Sequence, residues 1–172
     1  MNRKFISFSK KIYQCNKCTR LVNFRNKISL KKRKSYLDQV YWGKPISGFG
    51  DLNGNIIIIG LAPAAHGATR TGRVFTGDKS ADFLFNCLFK SGLSNQPNSD
   101  HINDGLKLKN TFITLALRCV PPEDKPTKEE LKNCSAFFKE ELNMIKNKKV
   151  IVALGKIAFD ACIKFYKENY GL

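Results

Sequence analysis

A loop of unusual composition follows a run of four isoleucines, Ile56–Ile59. Residues 60–78 include four glycines, two arginines and one histidine, and they show neither helical nor strand periodicity. Connections of this length without secondary structure are uncommon in compact domains unless they have a function. This one begins where a central strand of an open α/β sheet would end, and such sheets bind their ligands there. The sequence therefore predicts that residues 60–78 form a ligand-binding loop.

Four of the six cysteines have spacings found in metal sites. Cys15 and Cys18 form a C-x2-C pair, and Cys119 and Cys134 follow after a long gap with a C-x14-C spacing. Four thiolates can bind a [4Fe–4S] cluster or a structural zinc ion, and the spacing does not separate the two. Alternatively, Cys134 is a small core residue on a helix and Cys119 merely ends a strand. That alternative leaves the C-x2-C pair unexplained, so we favour a metal site.

Three apolar runs have the composition of buried strands, and they lie at residues 55–60, 111–117 and 149–154. Each run is followed by a segment with helical periodicity. Such alternation implies a parallel sheet with right-handed crossovers and helices on both faces. The predicted fold class is therefore α/β, a three-layer αβα arrangement with a central parallel sheet. We expect residues 1–172 to form a single domain in which residues 1–40 are a basic amino-terminal segment.

The three predicted helices have recognisable capping or polar patterns. The first begins after residue 78, and its wet face carries Asp82, Asn86 and Lys90. The second begins at Thr127, which has capping-box spacing with Glu130, and it ends near residue 147. The third covers residues 157–166. The other two cysteines lie among apolar neighbours and are predicted to be core residues: Cys87 and Cys162.

The net charge is +16, from 30 Lys and Arg residues against 14 Asp and Glu residues. This excess favours a polyanionic partner, most commonly a nucleic acid, although a solvated lysine-rich surface is the alternative. No run of eighteen apolar residues is present, and the amino terminus lacks the apolar core of a signal peptide. We therefore predict a cytoplasmic protein without a membrane-spanning helix, and we expect it to be a monomer. In that compartment its cysteines are predicted to be metal ligands or core residues and not disulfides.

The loop sequence GLAPAAHGATRTGRVFTGD resembles the first motif of the uracil-DNA glycosylase superfamily, in its iron–sulfur-containing type 5 branch. The resemblance extends upstream through YWGKPISGFGD and downstream through LRCVPPEDKPTKEE, and it covers the chain from about Tyr13 to Cys162. It implies a uracil-DNA glycosylase-like fold and a DNA-repair enzyme that hydrolyses the N-glycosidic bond of uracil, and of other deaminated bases, in DNA to initiate base excision repair. It also implies a [4Fe–4S] cluster on the matching cysteines: Cys15, Cys18, Cys119 and Cys134.

The resemblance also implies roles for individual residues of the loop. An extruded base is held by an aromatic face and by donors aimed at its oxygen atoms. The implied substrate-binding residues are Gly60, Leu61 and Ala62 through their backbone, the stacking aromatic Phe75, and Arg70 and Arg73. The implied catalytic candidates are Asp78, His66 and Thr69. Thr69 stands where relatives often have Asn or Asp, and Asp78 has the alternative role of a helix N-cap.

Members of this family continue beyond the third helix with a further strand and a His-Pro-Ser-like segment. The sequence ends at Leu172, and no histidine follows His101. We therefore expect residues 41–172 to form an α/β core that lacks the last strand and has weak activity. The alternatives are a non-catalytic iron–sulfur nucleic-acid-binding homologue and a small-molecule nucleosidase, and the charge of +16 disfavours the latter.

Overall fold

The computed structural model describes residues 2–171, which are built around a four-stranded sheet. The strands are β1 (Phe49–Gly50), β2 (Ile56–Gly60), β3 (Thr111–Leu115) and β4 (Val150–Ala153), and their order in the sheet is β1-β3-β2-β4. β2 pairs in parallel with β3 on one side and with β4 on the other. The predicted central parallel strands are therefore confirmed, and β2 occupies an inner position.

The two edges of the sheet differ in character. β1 is antiparallel to β3, and its pairs are Phe49 with Ile113 and Gly50 with Phe112. Two residues are too few to show a strand period, so the sequence did not predict β1. β4 forms the opposite edge, where Val150 is 51% exposed.

Among residues 2–171, six α-helices flank the sheet: α1 (Arg3–Tyr13), α2 (Thr19–Leu30), α3 (Ala68–Thr71), α4 (Lys79–Lys90), α5 (Lys128–Met144) and α6 (Lys156–Tyr170). The capping box predicted for α5 is present. The Thr127 hydroxyl accepts a hydrogen bond from the Glu130 N–H, and the Glu130 carboxylate accepts one from the Thr127 N–H. No helix in this part of the chain has both the length and the apolar character needed to cross a membrane.

Alternating side chains of β2 build a core on each face of the sheet, because successive residues of a strand point to opposite faces. Ile58 belongs to a buried cluster with Phe85 of α4. Ile57 and Ile59 belong to a second cluster with Phe138 of α5, and α6 also contributes to it. The predicted three-layer αβα arrangement is therefore confirmed.

The basic amino-terminal segment is helical and forms part of the core. Phe8 and Ile12 of α1 are 1% and 0% exposed. The ring of Phe8 packs edge-on against Phe137 of α5, with 6.2 Å between centroids. Leu21 of α2 is also buried, next to Cys134. The apolar residues Phe5, Phe8 and Ile12 of α1 follow helical spacing, with the lysines on the other face.

One of the two predicted core cysteines is not in the core. Cys162 is buried as predicted, but the prediction for Cys87 is wrong, because Cys87 is exposed. It lies two residues after the buried Phe85, which places it about 200° around α4 on the solvent side. Phe83 is 75% exposed on α4 as well, so apolar neighbours in the sequence do not mark the buried face here. The predicted wet-face residues are all exposed: Asp82, Asn86 and Lys90.

Candidate functional site

Phe75 and Gly60 meet where the loop leaves the central strand. Phe75 has a left-handed backbone with φ of +47°, a conformation that residues other than glycine adopt infrequently. A Cβ atom added to Gly60 would lie 2.9 Å from two ring carbons of Phe75. Only glycine permits this approach, since any side chain would displace the ring. The structure thus brings two predicted substrate-binding residues together at the carboxyl end of β2.

The next two residues of the loop connect this point to the cysteines. The Leu61 carbonyl accepts a hydrogen bond from the Leu117 N–H at 2.8 Å, which extends the pairing of the sheet. Ala62 packs against the buried cluster that contains Leu117 and Cys134. The loop and the cysteine site are therefore direct neighbours.

His66 is partly buried and is held by contacts on both its ring and its backbone. Its Nδ1 lies 2.9 Å from the Tyr41 hydroxyl, and its carbonyl accepts a hydrogen bond from Arg70 Nε at 2.7 Å. Burial lowers the pKa of His66 below its ordinary value of 6.5, and the positive charges of Arg33 and Arg70 lower it further. The imidazole is therefore neutral at pH 7 and has both a donor and an acceptor nitrogen.

We expect NMR to show that His66 titrates below pH 6.5 in the folded protein. The chain has two histidines, so the variant His101→Gln leaves a single imidazole to follow. In that background, Arg33→Ala should raise the pKa of His66, because it removes a positive charge that disfavours the imidazolium ion. A midpoint at or above 6.5 that does not respond to Arg33→Ala would contradict this description.

Arg70 has its contacts within the protein. It donates to the Gly77 carbonyl at 2.8 Å and to Gln39 Oε1 at 2.5 Å. Its guanidinium group also stacks over the Tyr36 ring, 3.9 Å from the centroid. Arg70 therefore ties the loop to the segment that precedes β1, and a direct contact with substrate stays a prediction.

Arg73 is bound still more completely. Its guanidinium donates to both carboxylate oxygens of Asp104, at 2.8 and 2.6 Å, and its side chain is 4% exposed. Other N–H groups of Arg73 donate to Thr76 and Ser99. Burial would raise the pKa of Asp104, but Arg73 and three backbone N–H groups outweigh it and hold that pKa well below its usual range. Arg73 is an anchor of the loop, and its predicted contact with substrate would require these bonds to break.

The other two catalytic candidates differ in their surroundings. Thr69 is 1% exposed, and its hydroxyl oxygen has no hydrogen-bond partner within residues 2–171. Asp78 caps α4, since its carboxylate accepts a hydrogen bond from the Ala81 N–H at 3.0 Å, and the predicted N-cap is confirmed. The same carboxylate lies against Gly67, and burial raises the pKa of Asp78. Catalytic roles for Thr69 and Asp78 stay predictions.

A basic strap, which we define as residues 31–43, is fixed onto the loop. The Trp42 N–H donates to the Arg70 carbonyl at 2.9 Å, and the Gly43 N–H donates to the Thr69 carbonyl at 3.0 Å. The indole ring of Trp42 packs against Gly72, where a Cβ atom would lie 3.0 Å from it. These bonds give the strap a defined position beside the loop.

One cation of the basic strap, Arg33, lies close enough to His66 to lower its pKa. The exposed cations of the strap are Lys31, Arg33 and Lys34. An open cleft of about 670 Å³ lies between the strap and residues 100–102, and Tyr41 and Arg70 are among its lining residues. This volume is within the range of small-molecule sites, and the cleft opens to solvent beside the loop.

The four predicted metal ligands line one small cavity. Cys15 follows α1, Cys18 immediately precedes α2, Cys119 follows β3, and Cys134 lies in α5. All four are free cysteines. The structure therefore brings the four cysteines together, as predicted. Their cavity lies between the amino-terminal helices and the core.

Two arginines that the sequence analysis did not identify also line this cavity. Arg25 Nη1 lies 3.2 Å from Cys119 Sγ, and the Arg118 backbone N–H lies 3.2 Å from Cys134 Sγ. The Nε–H groups of Arg25 and Arg118 are buried and have no hydrogen-bond partner within residues 2–171. Buried unpaired donors require an explanation, and an acceptor bound between the cysteines would supply one.

The thiols surround a space and do not converge on one point. Within residues 2–171, no group of three or more His, Cys, Asp or Glu side chains is placed to hold a single metal ion. Burial raises the pKa of the Cys134 thiol to about 12, and it raises the pKa of Cys119 as well. A bound metal group would have to supply the positive charge that stabilises the thiolates.

A buried ion pair connects the cysteine site to the start of β1. Arg118 Nη2 lies 2.8 Å from Glu141 Oε2, and the two side chains are 2% and 0% exposed. Glu141 Oε1 accepts a hydrogen bond from the Gly48 N–H at 2.8 Å. Arg118 Nη1 also donates to the Thr114 hydroxyl at 2.9 Å. No sequence signal marks this pair, because its members lie on different elements and are 23 residues apart.

Comparisons with known proteins agree with these features. Residues 47–171 match the family model described as the uracil DNA glycosylase superfamily. The type-5 uracil-DNA glycosylase of Pyrobaculum aerophilum is 45% identical over 157 residues, which are 91% of this chain and 68% of that protein. The type-5 uracil-DNA glycosylase of Thermus thermophilus is 42% identical over 160 residues, 93% of this chain and 72% of that protein. That of Mycobacterium bovis is 42% identical over 151 residues, 87% of this chain and 56% of that protein.

The matched segment contains all four strands, the loop between β2 and α4, and the Cys119–Cys134 half of the cysteine site. The relatives at 42–45% identity align with 151–160 residues, so their similarity extends beyond the matched segment. On these grounds, the chain belongs to the uracil-DNA glycosylase superfamily.

Proposed function

We propose that the protein is a DNA-repair glycosylase, which hydrolyses the N-glycosidic bond of uracil in DNA and so initiates base excision repair. The observation that carries the proposal is the contact of the Phe75 ring with Gly60 at the carboxyl end of β2, within the segment that matches the family. The names of the three relatives, each a type-5 uracil-DNA glycosylase, support the same reaction. A net charge of +16 suits a DNA substrate.

The loop contains the groups that such a reaction needs. A glycosylase extrudes its target nucleotide and holds the base by stacking and by hydrogen bonds to its polar edge. The half-buried ring of Phe75 provides the stacking face. The backbone N–H groups of Leu61 and Ala62 are our candidates for the donors to the base oxygen. As the glycosidic bond lengthens, the base becomes negative, and donors that are already in place stabilise this charge.

His66 is our first candidate for a catalytic side chain. If the Tyr41 hydroxyl donates to Nδ1, the neutral ring carries its hydrogen on Nε2 and can donate it to the leaving base. The positive charges of Arg33 and Arg70 favour negative charge on the base by the same electrostatic effect that lowers the pKa of His66. Asp78 and Thr69 are the further candidates for positioning the attacking water.

The basic strap is our candidate for the surface that binds the DNA backbone. Its exposed cations are Lys31, Arg33 and Lys34, and the charge of Arg33 acts on His66 of the loop that would receive the extruded base. Phosphate contacts by lysine and arginine provide most of the affinity of non-specific DNA binding and make it dependent on salt. The backbone bonds from Trp42 and Gly43 fix the carboxyl end of the strap to the loop.

We further propose that a [4Fe–4S] cluster binds to Cys15, Cys18, Cys119 and Cys134. The four thiols line one cavity together with two buried arginines, Arg25 and Arg118, whose Nε–H groups are unpaired, and this fits an anionic multinuclear group. The resemblance to the iron–sulfur-containing type 5 branch favours the cluster over zinc. The hydrolysis needs no electron transfer, so the cluster would serve to fix α1 and α2 against β3 and α5.

The test is release of free uracil from a labelled DNA duplex by the wild-type protein and by Phe75→Ala. Stacking of a base on an aromatic side chain is worth about 1–3 kcal/mol, so kcat/KM should fall about 5–150-fold. Phe83→Ala is the matched control, because Phe83 is 75% exposed on α4, and its activity should equal that of the wild type. DNA binding without any uracil release by the wild type would support the non-catalytic alternative and overturn the proposal.

A further inference from the structure

Arg25 is a buried positive charge without an acidic partner. Its side chain lies in α2 and is 6% exposed. Its guanidinium donates to the Cys15 carbonyl at 3.3 Å and to Asn16 Oδ1 at 2.6 Å, and both acceptors are neutral. Within residues 2–171 it forms no ion pair, whereas the equally buried Arg73 and Arg118 each have a carboxylate. A buried charge is costly unless an opposite charge compensates it.

The groups around Arg25 point to the location of the missing negative charge. Its Nη1 lies 3.2 Å from Cys119 Sγ, both residues line the same cavity, and its Nε–H is buried without a partner within residues 2–171. Arg118 lines the cavity as well, but Glu141 already neutralises its charge. Arg25 is therefore the buried cation at this cavity that lacks a counter-charge among the described residues, since Lys17, which also lines the cavity, is exposed.

We propose that Arg25 is the charge partner of the cluster and sets both its retention and its reduction potential. This inference rests on the proposed [4Fe–4S] site. One guanidinium N–H donates to the Cys119 thiolate, and the Nε–H is available to a cluster sulfide. A positive charge and N–H···S bonds stabilise the more negative, reduced form of a cluster and so raise its potential. Arg25 acts through the ligands as a positioning residue, and the hydrolysis does not depend on any change in the oxidation state of the cluster.

The experiment compares the wild type, Arg25→Gln, Arg25→Lys and the control Lys27→Gln, all purified without oxygen. Lys27→Gln removes the same charge from an exposed position of the same helix. Arg25→Gln keeps an N–H donor but removes the positive charge. Arg25→Lys keeps the positive charge but lacks the planar guanidinium group with its several N–H donors. Iron per chain, the rate at which a chelator removes the visible absorbance, and the midpoint potential by voltammetry are measured for each.

We expect Arg25→Gln to lose iron to the chelator about 10–100-fold faster than the wild type, as is typical when a partner of a metal ligand is removed. Its potential should be lower, Arg25→Lys should lie between the two, and Lys27→Gln should match the wild type. If Arg25→Gln does not fold, the inference is tested by comparing the rate of iron loss and the midpoint potential of Arg25→Lys with those of the wild type. Equal rates and potentials in the wild type and the Arg25 variants would overturn the inference. A wild-type protein without iron would instead overturn the proposed cofactor.

Discussion

Replacing Cys119 by serine should bleach the protein and lower its free energy of unfolding by several kcal/mol. The wild type, purified without oxygen, should be brown and contain about four iron atoms per chain. Cys119 lines the cavity together with three other cysteines, so the variant removes one of four ligands. Metal-binding free energy contributes to folding, and it reaches about 10–16 kcal/mol in structural zinc sites. Iron content, visible absorbance and thermal melting measure the two effects.

Cys87→Ser is the matched control for this prediction. Cys87 is exposed on α4, away from the cavity residues, so its replacement should change neither the iron content nor the melting temperature. If the wild type contains one zinc ion per chain and no iron, the cluster assignment is wrong, even if Cys119→Ser unfolds the protein.

Local patterns in the sequence predicted the elements that depend on local physics. Three of the four successive isoleucines, Ile57, Ile58 and Ile59, are buried on the two faces of β2, and that run is what a strand in the middle of a sheet requires. The capping box of Thr127 and Glu130 is a contact between residues three positions apart, so it is visible in the sequence. The four cysteines were grouped by spacing and chemistry, and the fold brings them to one cavity.

Contacts between distant residues could not be predicted in this way. Arg73 and Asp104 are 31 positions apart, and nothing near either residue indicates that they pair. Arg25 looks like one more cation in a basic segment until the structure shows it against Cys119. Helix α1 was missed because residues 1–40 were interpreted by their charge, although Phe5, Phe8 and Ile12 follow helical spacing. In each case the tertiary partner, and not the local composition, determines the role of the residue.

The second large effect should come from Glu141→Ala. This change leaves Arg118, which is 2% exposed, as a buried charge without its partner, and such a loss typically costs about 3–5 kcal/mol. It also removes the acceptor for the Gly48 N–H and for the Thr114 hydroxyl. For a domain of this size the melting temperature should fall by about 6–20 °C, which calorimetry can measure.

Two further variants distinguish the effect of the unpaired buried charge on stability from the effect of mutation in general. Glu123→Ala breaks the ion pair with Lys125, in which both side chains are 80% exposed, and an exposed pair contributes at most about 1 kcal/mol. The double variant Arg118→Met, Glu141→Leu removes both buried charges at once, so it should be more stable than Glu141→Ala alone. If the double variant is less stable than Glu141→Ala, and the extra loss in free energy of unfolding equals the effect of replacing Arg118 alone, the two residues act independently. The pair would then owe its importance to packing, and the unpaired charge of Arg118 would not be the cause.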